Sequence, residues 1–301
     1  MKKEYLFLLI LISIFIISGC TSSKSFLGSG PNGIQIKFIQ PESKYSTLGI
    51  DEGVDLPIEF ELTNYAECQA IGNLCVKDLL NDKYGGVPEQ CKEINFEEAR
   101  INNKKPELDT QTFIFSSQPY SNLFKNEDTT LKATAKYNCQ FIAGPTICTK
   151  SPLNQDKECK NFETISGSKL GSKIAPVTIT SIEKQLGGSS NNIELKIKIT
   201  LRKMSDGKVS TSNEFQENLK GNPLRIEIDY GESSMSCLGA DYKEGIMYWK
   251  AKDTEKVINC KISLTSGEIQ ETPLNIRLNY EYEITKDMPI KINYIKQEEG
   301  I

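Results

Sequence analysis

The feature that most constrains this chain is a strict alternation of apolar and polar residues in several separate segments. Leu56, Ile58, Phe60 and Leu62 alternate with polar neighbours, as do Leu131, Ala133, Ala135, Tyr137, Cys139 and Phe141. The pattern returns at Ile193, Leu195, Ile197, Ile199 and Leu201, at Leu224, Ile226, Ile228 and Tyr230, and at Ile258, Cys260, Ile262 and Leu264. Its clearest copy is Leu274, Ile276, Leu278, Tyr280, Tyr282 and Ile284. Successive strand side chains point to opposite faces, so each run buries one face and wets the other, as antiparallel sheets do. Gly187-Gly188-Ser189, Asp206-Gly207 and Gly231-Glu232-Ser233 supply turns between runs. No long helical stripe competes. Short helices are expected only over 88–101 and 212–219, the second capped by Ser212 with Gly221 past its end. The expected fold class is all-β.

The N-terminus carries an address. Met1-Lys2-Lys3 is followed by an apolar run over 6–17, broken only by Ser13, and then by Ser18-Gly19-Cys20. A basic start, about a dozen apolar residues and small residues before a cut site make a secretory signal. The run falls short of the ~20 residues that a membrane span needs. Cys20 directly after Ser-Gly resembles the lipobox of prokaryotic lipoproteins. The resemblance implies that residues 1–19 are cleaved and that Cys20 carries lipid. The chain would then be held to membrane lipid outside the cytoplasm, at the cell surface or on the periplasmic face. An uncleaved N-terminal anchor is the competing reading, and it puts the remainder on the same side. Residues 20–33, rich in Ser and Gly, read as a flexible tether.

Charge and cysteine usage fit that compartment. Removing Lys2, Lys3 and Glu4, a net +1, takes the formal charge from −4 to −5. A mildly acidic chain lacks the basic footprint of a nucleic-acid binder. Of nine cysteines, Cys20 is assigned to lipid. The other eight, Cys68, Cys75, Cys91, Cys139, Cys148, Cys159, Cys237 and Cys260, are an even set, expected as disulfides in an oxidising compartment. The six in the first half allow 15 pairings. Local closure favours Cys148–Cys159 and Cys75–Cys91, leaving Cys68–Cys139, while the second half leaves Cys237–Cys260. The insertions at 66–92 and 139–160 are expected as loops stiffened by these bridges.

A Gly/Ser-rich break at 166–173 reads as a linker between a cysteine-rich domain at 34–165 and a second domain at 174–301. The two sides look like a weak repeat: Ile36 to Ile179 and Leu131 to Leu274 share an offset of 143. At Ala135-Lys136-Tyr137-Asn138-Cys139 the chain resembles the F strand of immunoglobulin-like domains, where a tyrosine stands two residues before the second cysteine. The match covers one strand, and no cysteine lies within 56–62, where the first partner would belong. The resemblance implies two tandem immunoglobulin-like antiparallel β-sandwiches, without the antibody-type core disulfide.

Little in the chain points to catalysis. It contains no histidine, which removes Ser-His-Asp and Cys-His arrangements, His-ligated metals and the commonest general base. Ser-x-x-Lys occurs at Ser166–Lys169, Ser181–Lys184 and Ser205–Lys208, never at the start of a helix, where that chemistry needs it. Asp51, Glu52 and Asp55 gather carboxylates before a strand, a solvated turn without EF-hand spacing. No metal, cofactor or catalytic residue is expected. Tyr242, Tyr248 and Trp249, between Cys237 and Cys260, are the candidate partner contacts, since Tyr and Trp are enriched at binding hot spots. Adjacent strand residues point apart, so one of Tyr248 and Trp249 should be buried. The expected role is non-enzymatic binding or structural work in the cell envelope, with a protein or surface-polymer partner. The alternative is a ligand-binding lipoprotein serving a transporter.

Overall fold

A computed structural model describes residues 32–40, 47–49, 57–102, 105–121, 123–171, 173–189, 192–210, 221–231, 233–265 and 268–294. The expected signal segment, Cys20, most of the expected tether, Asp51, Glu52, Asp55 and the helix expected over 212–219 lie outside the described residues. Among the described residues no helix is long and apolar enough to cross a membrane.

The chain is built from strands that pair antiparallel, apart from a short parallel pairing of Thr47–Gly49 with Lys291–Asn293. The first half lays down β1 (Ile34–Gln40), β2 (Ile58–Asn64), β3 (Ala70–Asp78), β4 (Gln90–Phe96), β5 (Asp109–Phe115) and β6 (Glu127–Ala143). The second contributes β7 (Phe162–Ser166), β8 (Val177–Ser189), β9 (Asn192–Lys203), β10 (Asn222–Tyr230), β11 (Ser236–Leu238), β12 (Ile246–Trp249), β13 (Glu255–Leu264) and β14 (Gln270–Asn293). A three-stranded sheet has the order β1-β2-β5, and a five-stranded one the order β7-β8-β9-β13-β11. The largest runs from Tyr242–Lys243 through β12-β10-β14-β6-β3-β4.

That large sheet crosses the break between the halves. β6 and β14 pair from Ala143↔Ile276 to Glu127↔Ile292. The inward residues of both strands join one apolar cluster, which includes Leu131, Ala135, Phe141, Leu274, Leu278 and Ile290. Phe96 on β4 meets Phe113 on β5 at 6.4 Å, joining the large sheet to the three-stranded one, and within the latter Phe60 on β2 meets Phe115 on β5 at 5.8 Å. Residues 166–171 run from the end of β7 into a short 3-10 turn, Gly167–Leu170, with Leu170 buried.

The offset of 143 recurs in space. Ile34, the first residue of β1, donates its backbone N–H to Tyr137 Oη at 3.2 Å, and Val177, the first residue of β8, donates to Tyr280 Oη at 2.9 Å. Under the same offset Asn138 corresponds to Glu281, and these two stand opposite one another in the β6–β14 ladder. Antiparallel pairing of two corresponding strands is the arrangement that a two-fold axis generates.

Two local expectations fail. Residues 88–101 do not form a helix: Gln90–Phe96 is a strand that buries Ile94 and Phe96 and pairs with β3. The segment 66–92 is not mainly loop either, whereas 139–160 is mainly loop, with strand only at its start and over Thr146–Thr149. β3, the start of β4, the end of β6 and Thr146–Thr149 lie within them as strands. Four of the six cysteines there, Cys75, Cys91, Cys139 and Cys148, sit in ladders, and Cys75 faces Cys91 directly across β3 and β4. The structure closes Cys68–Cys139, Cys75–Cys91, Cys148–Cys159 and Cys237–Cys260.

Candidate functional site

The five-stranded sheet turns Ile182, Leu186, Ile193, Leu195, Ile197 and Ile258 inward and the residues between them outward. Register sets the outward side chains in two rows. One runs Phe162, Gln185, Lys196, Lys261, Ser236, and the next runs Thr164, Glu183, Lys198, Asn259, Leu238. Along them lies a trough of about 360 Å³, lined by Phe162, Lys196, Lys198, Leu238 and Lys261 among others. Cys260, bonded to Cys237, forms part of its floor.

Charge in this trough is not balanced. Lys198 Nζ donates to Glu183 Oε1 at 2.9 Å. Lys196 reaches Glu194 at only 3.6 Å, with both side chains well exposed, a geometry worth little. Lys261 stands directly opposite Lys196 and makes no ion pair among the described residues. Like charges facing each other across a ladder are destabilising. The ends of the rows hold apolar groups in water: Phe162 is 61% and Leu238 71% exposed.

Beneath the outward row the sheet holds a buried cation. Lys184 side chain is 0% exposed; its Nζ donates to the Cys148 carbonyl at 2.8 Å and lies 3.4 Å from Glu163 Oε2, on the residue opposite it in β7. Burial pushes this ammonium below its ordinary pKa, and Glu163 partly restores it. The Cys148–Cys159 bridge closes the adjoining loop. There the Asp156 carboxylate accepts from Cys159 N and Glu158 N, both at 2.9 Å, and the Cys159 bond leads in holding its pKa low. Ser181 lies three residues before Lys184 on the same strand and so points to the opposite face. Lys208 is engaged by Glu283 at 3.1 Å, and Ser166 and Lys169 fall on either side of the strand-to-turn transition after β7. None of the three Ser-x-x-Lys copies is set at the start of an α-helix.

The three aromatic candidates separate. Trp249 is a core residue, 1% exposed, with its indole N–H donated to the Asp253 carbonyl at 2.8 Å. A side chain so enclosed presents no surface to a partner, so Trp249 is withdrawn as a contact residue. Tyr248 and Tyr242 are half-buried, and burial raises the Tyr242 phenol pKa. Lys256 pins their loop by pairing with Asp253 at 2.7 Å and with Asp241. Burial pulls the Lys256 pKa down, but the two carboxylates outweigh it and hold it above the ordinary value. The ends of the Cys237–Cys260 loop reach the trough; its buried tryptophan does not.

A second concavity, of about 520 Å³, overlies the β6–β14 seam. Its polar groups satisfy one another: Lys173 bonds Glu98 at 3.1 Å, Glu67 accepts from Ile174 N at 2.6 Å, and Gln140 donates to Asn279 at 2.9 Å. The trough, with an unmatched cation and two exposed apolar ends, is the stronger candidate. Among the described residues no group of three or more His, Cys, Asp or Glu is placed to hold a metal ion. Lys196, Lys198, Lys261 and Phe162 carry no motif; the only sequence signal for the three lysines is their polar parity within period-two runs, and Phe162 has none. Compared with models of known protein families and with curated protein sequences, the chain matches none.

Proposed function

We propose that this chain is a lipid-anchored binding protein of a prokaryotic cell envelope, held by Cys20 and acting without catalysis. It consists of two tandem immunoglobulin-like sandwiches, 34–165 and 174–301, with β7 at the end of the first segment adding an edge strand to the sheet of the second, and their equivalent strands β6 and β14 join edge to edge. The strand order supports this: β1-β2-β5 in the first half corresponds to β8-β9-β13 in the second, and β4-β3-β6 to β12-β10-β14. Four disulfides support an oxidising compartment. The observation that carries the binding role is the trough, where a like-charged lysine pair and two exposed apolar side chains are kept at a cost to the fold. The absence of histidine supports a non-enzymatic role.

Two measurements test this. Intact mass of protein from native membranes should show cleavage before Cys20, added lipid and eight hydrogens lost to disulfides. Crosslinking on living cells should recover one envelope component, with links clustered at 236–261. An unlipidated N-terminus overturns the anchor, and links only to a transporter replace the binding role with the ligand-carrier alternative.

A further inference from the structure

We propose that the trough on β7-β8-β9-β13-β11 is a site for a linear polysaccharide bearing carboxylate groups, a deepening that rests on the binding role above. Five strands at about 4.8 Å spacing give a track of about 19 Å, long enough for several sugar rings. Lys196 and Lys261 lie side by side at its centre. An anion bridging them would turn a repulsion into two charge-assisted hydrogen bonds. Phe162 offers an exposed ring face at one end, and Gln185, Asn259 and Ser236 supply amide and hydroxyl groups between. The site is local: on the outward face of β1-β2-β5 the one lysine, Lys37, is bonded to Glu61 opposite it at 3.2 Å, and Thr63 and Thr110 bond at 3.0 Å, so no like-charged lysine pair recurs there.

A peptide fits this geometry less well. Extended peptides add at a sheet edge, where backbone donors and acceptors are open. Here the track crosses the strands on a face, and along it the backbone groups of β8, of β9 and of β13 at Asn259–Lys261 are committed to ladders on both sides. What remains is side-chain ammonium, amide, hydroxyl and one aromatic face, which is chemistry suited to sugar carboxylates and hydroxyls.

The test is calorimetry of the purified full-length protein with oligogalacturonate, its methyl ester and poly-L-glutamate. The expected result is binding of oligogalacturonate alone. It should weaken about tenfold in Lys196→Glu and in Lys261→Glu, as expected when an attractive charge is reversed, and several-fold in Phe162→Ala. Lys261→Glu also places an opposite charge across from Lys196, so its unfolding midpoint should rise as binding falls. That split separates a lost site from a damaged fold. Absence of binding, equal binding of the methyl ester, or indifference to the three variants overturns the site, and tighter binding of poly-L-glutamate replaces it with an acidic protein partner. An envelope partner crosslinked elsewhere, with no polysaccharide binding, overturns this proposal alone. Polysaccharide binding by a chain without lipid on Cys20 overturns only the anchor.

Discussion

Tyr137 and Tyr280 make the same bond from corresponding positions. Each phenol oxygen accepts the backbone N–H of a strand's first residue, Ile34 or Val177, and each pair is separated by 103 positions. Both rings are buried, and both lie next to Tyr282, at 6.1 and 6.3 Å between ring centroids. The two latches flank the seam where β6 meets β14.

Tyr137→Phe and Tyr280→Phe should each destabilise the protein by about 1–3 kcal/mol, because each strands a buried N–H. Tyr280→Phe should cost more, since Tyr280 also donates to the Val177 carbonyl at 3.2 Å. Urea unfolding checks both; equal stability of all three proteins would show that the latches are idle.

Alkali should unfold the protein from about pH 10 upward. Tyr120, Tyr137, Tyr280 and Tyr282 are buried, and desolvation raises all four phenol pKa values above the ordinary 10.0. Above pH 10 the unfolded chain releases protons that the folded chain retains, so stability falls as pH rises. The loss is about 1.4 kcal/mol per pH unit for each such phenol. Absorbance titration in parallel with urea midpoints at pH 9, 10 and 11 measures it.

Lys184 has the opposite sign. Its pKa is lowered in the fold by burial, so the unfolded chain binds its proton more tightly, and this penalty fades as pH rises towards 10.5. Replacing it with methionine should hold or raise stability at pH 7, since Glu163 remains 32% exposed to water. The gap between Lys184→Met and the parent should narrow between neutral pH and pH 10.

Gly72→Ala should cost about 3 kcal/mol or prevent folding, since a strand glycine often marks a close backbone approach. A Cβ there would lie 1.9 Å from the Lys136 carbonyl oxygen on β6. Thermal unfolding of Gly72→Ala beside Gly187→Ala, whose Cβ would meet nothing within 4 Å, gives the comparison.

Removing Cys68–Cys139 by paired alanines should destabilise by about 4 kcal/mol, against about 3 for Cys148–Cys159. The first bridge spans 71 positions and the second 11, so the first restrains the unfolded chain more. Guanidinium titrations of the two variants test the order.

The long strands are legible in the sequence because one face of each is buried. Leu274 to Ile284, Ile193 to Leu201 and Leu131 to Phe141 alternate as their burial does. β4 is not legible, because it turns only Ile94 and Phe96 fully inward and its remaining residues are polar. The seam between β6 and β14 is invisible locally, since pairing between distant strands depends on edges that only the whole fold defines. The trough is hidden for a related reason. Alternation places Lys196 and Lys261 on outward faces, but their meeting depends on the β9–β13 register.

The β6–β14 ladder also sets an order of events. It joins Ala143 to Ile276 and Glu127 to Ile292, contacts so distant along the chain that closing them is slow. During synthesis β6 emerges long before β14 and waits with 17 residues of open edge. Such an edge recruits stray strands from other molecules. The halves therefore do not mature independently: the first is safe from aggregation only once the last strand has arrived, and a chaperone that shields β6 in the interval would raise the yield of folded protein.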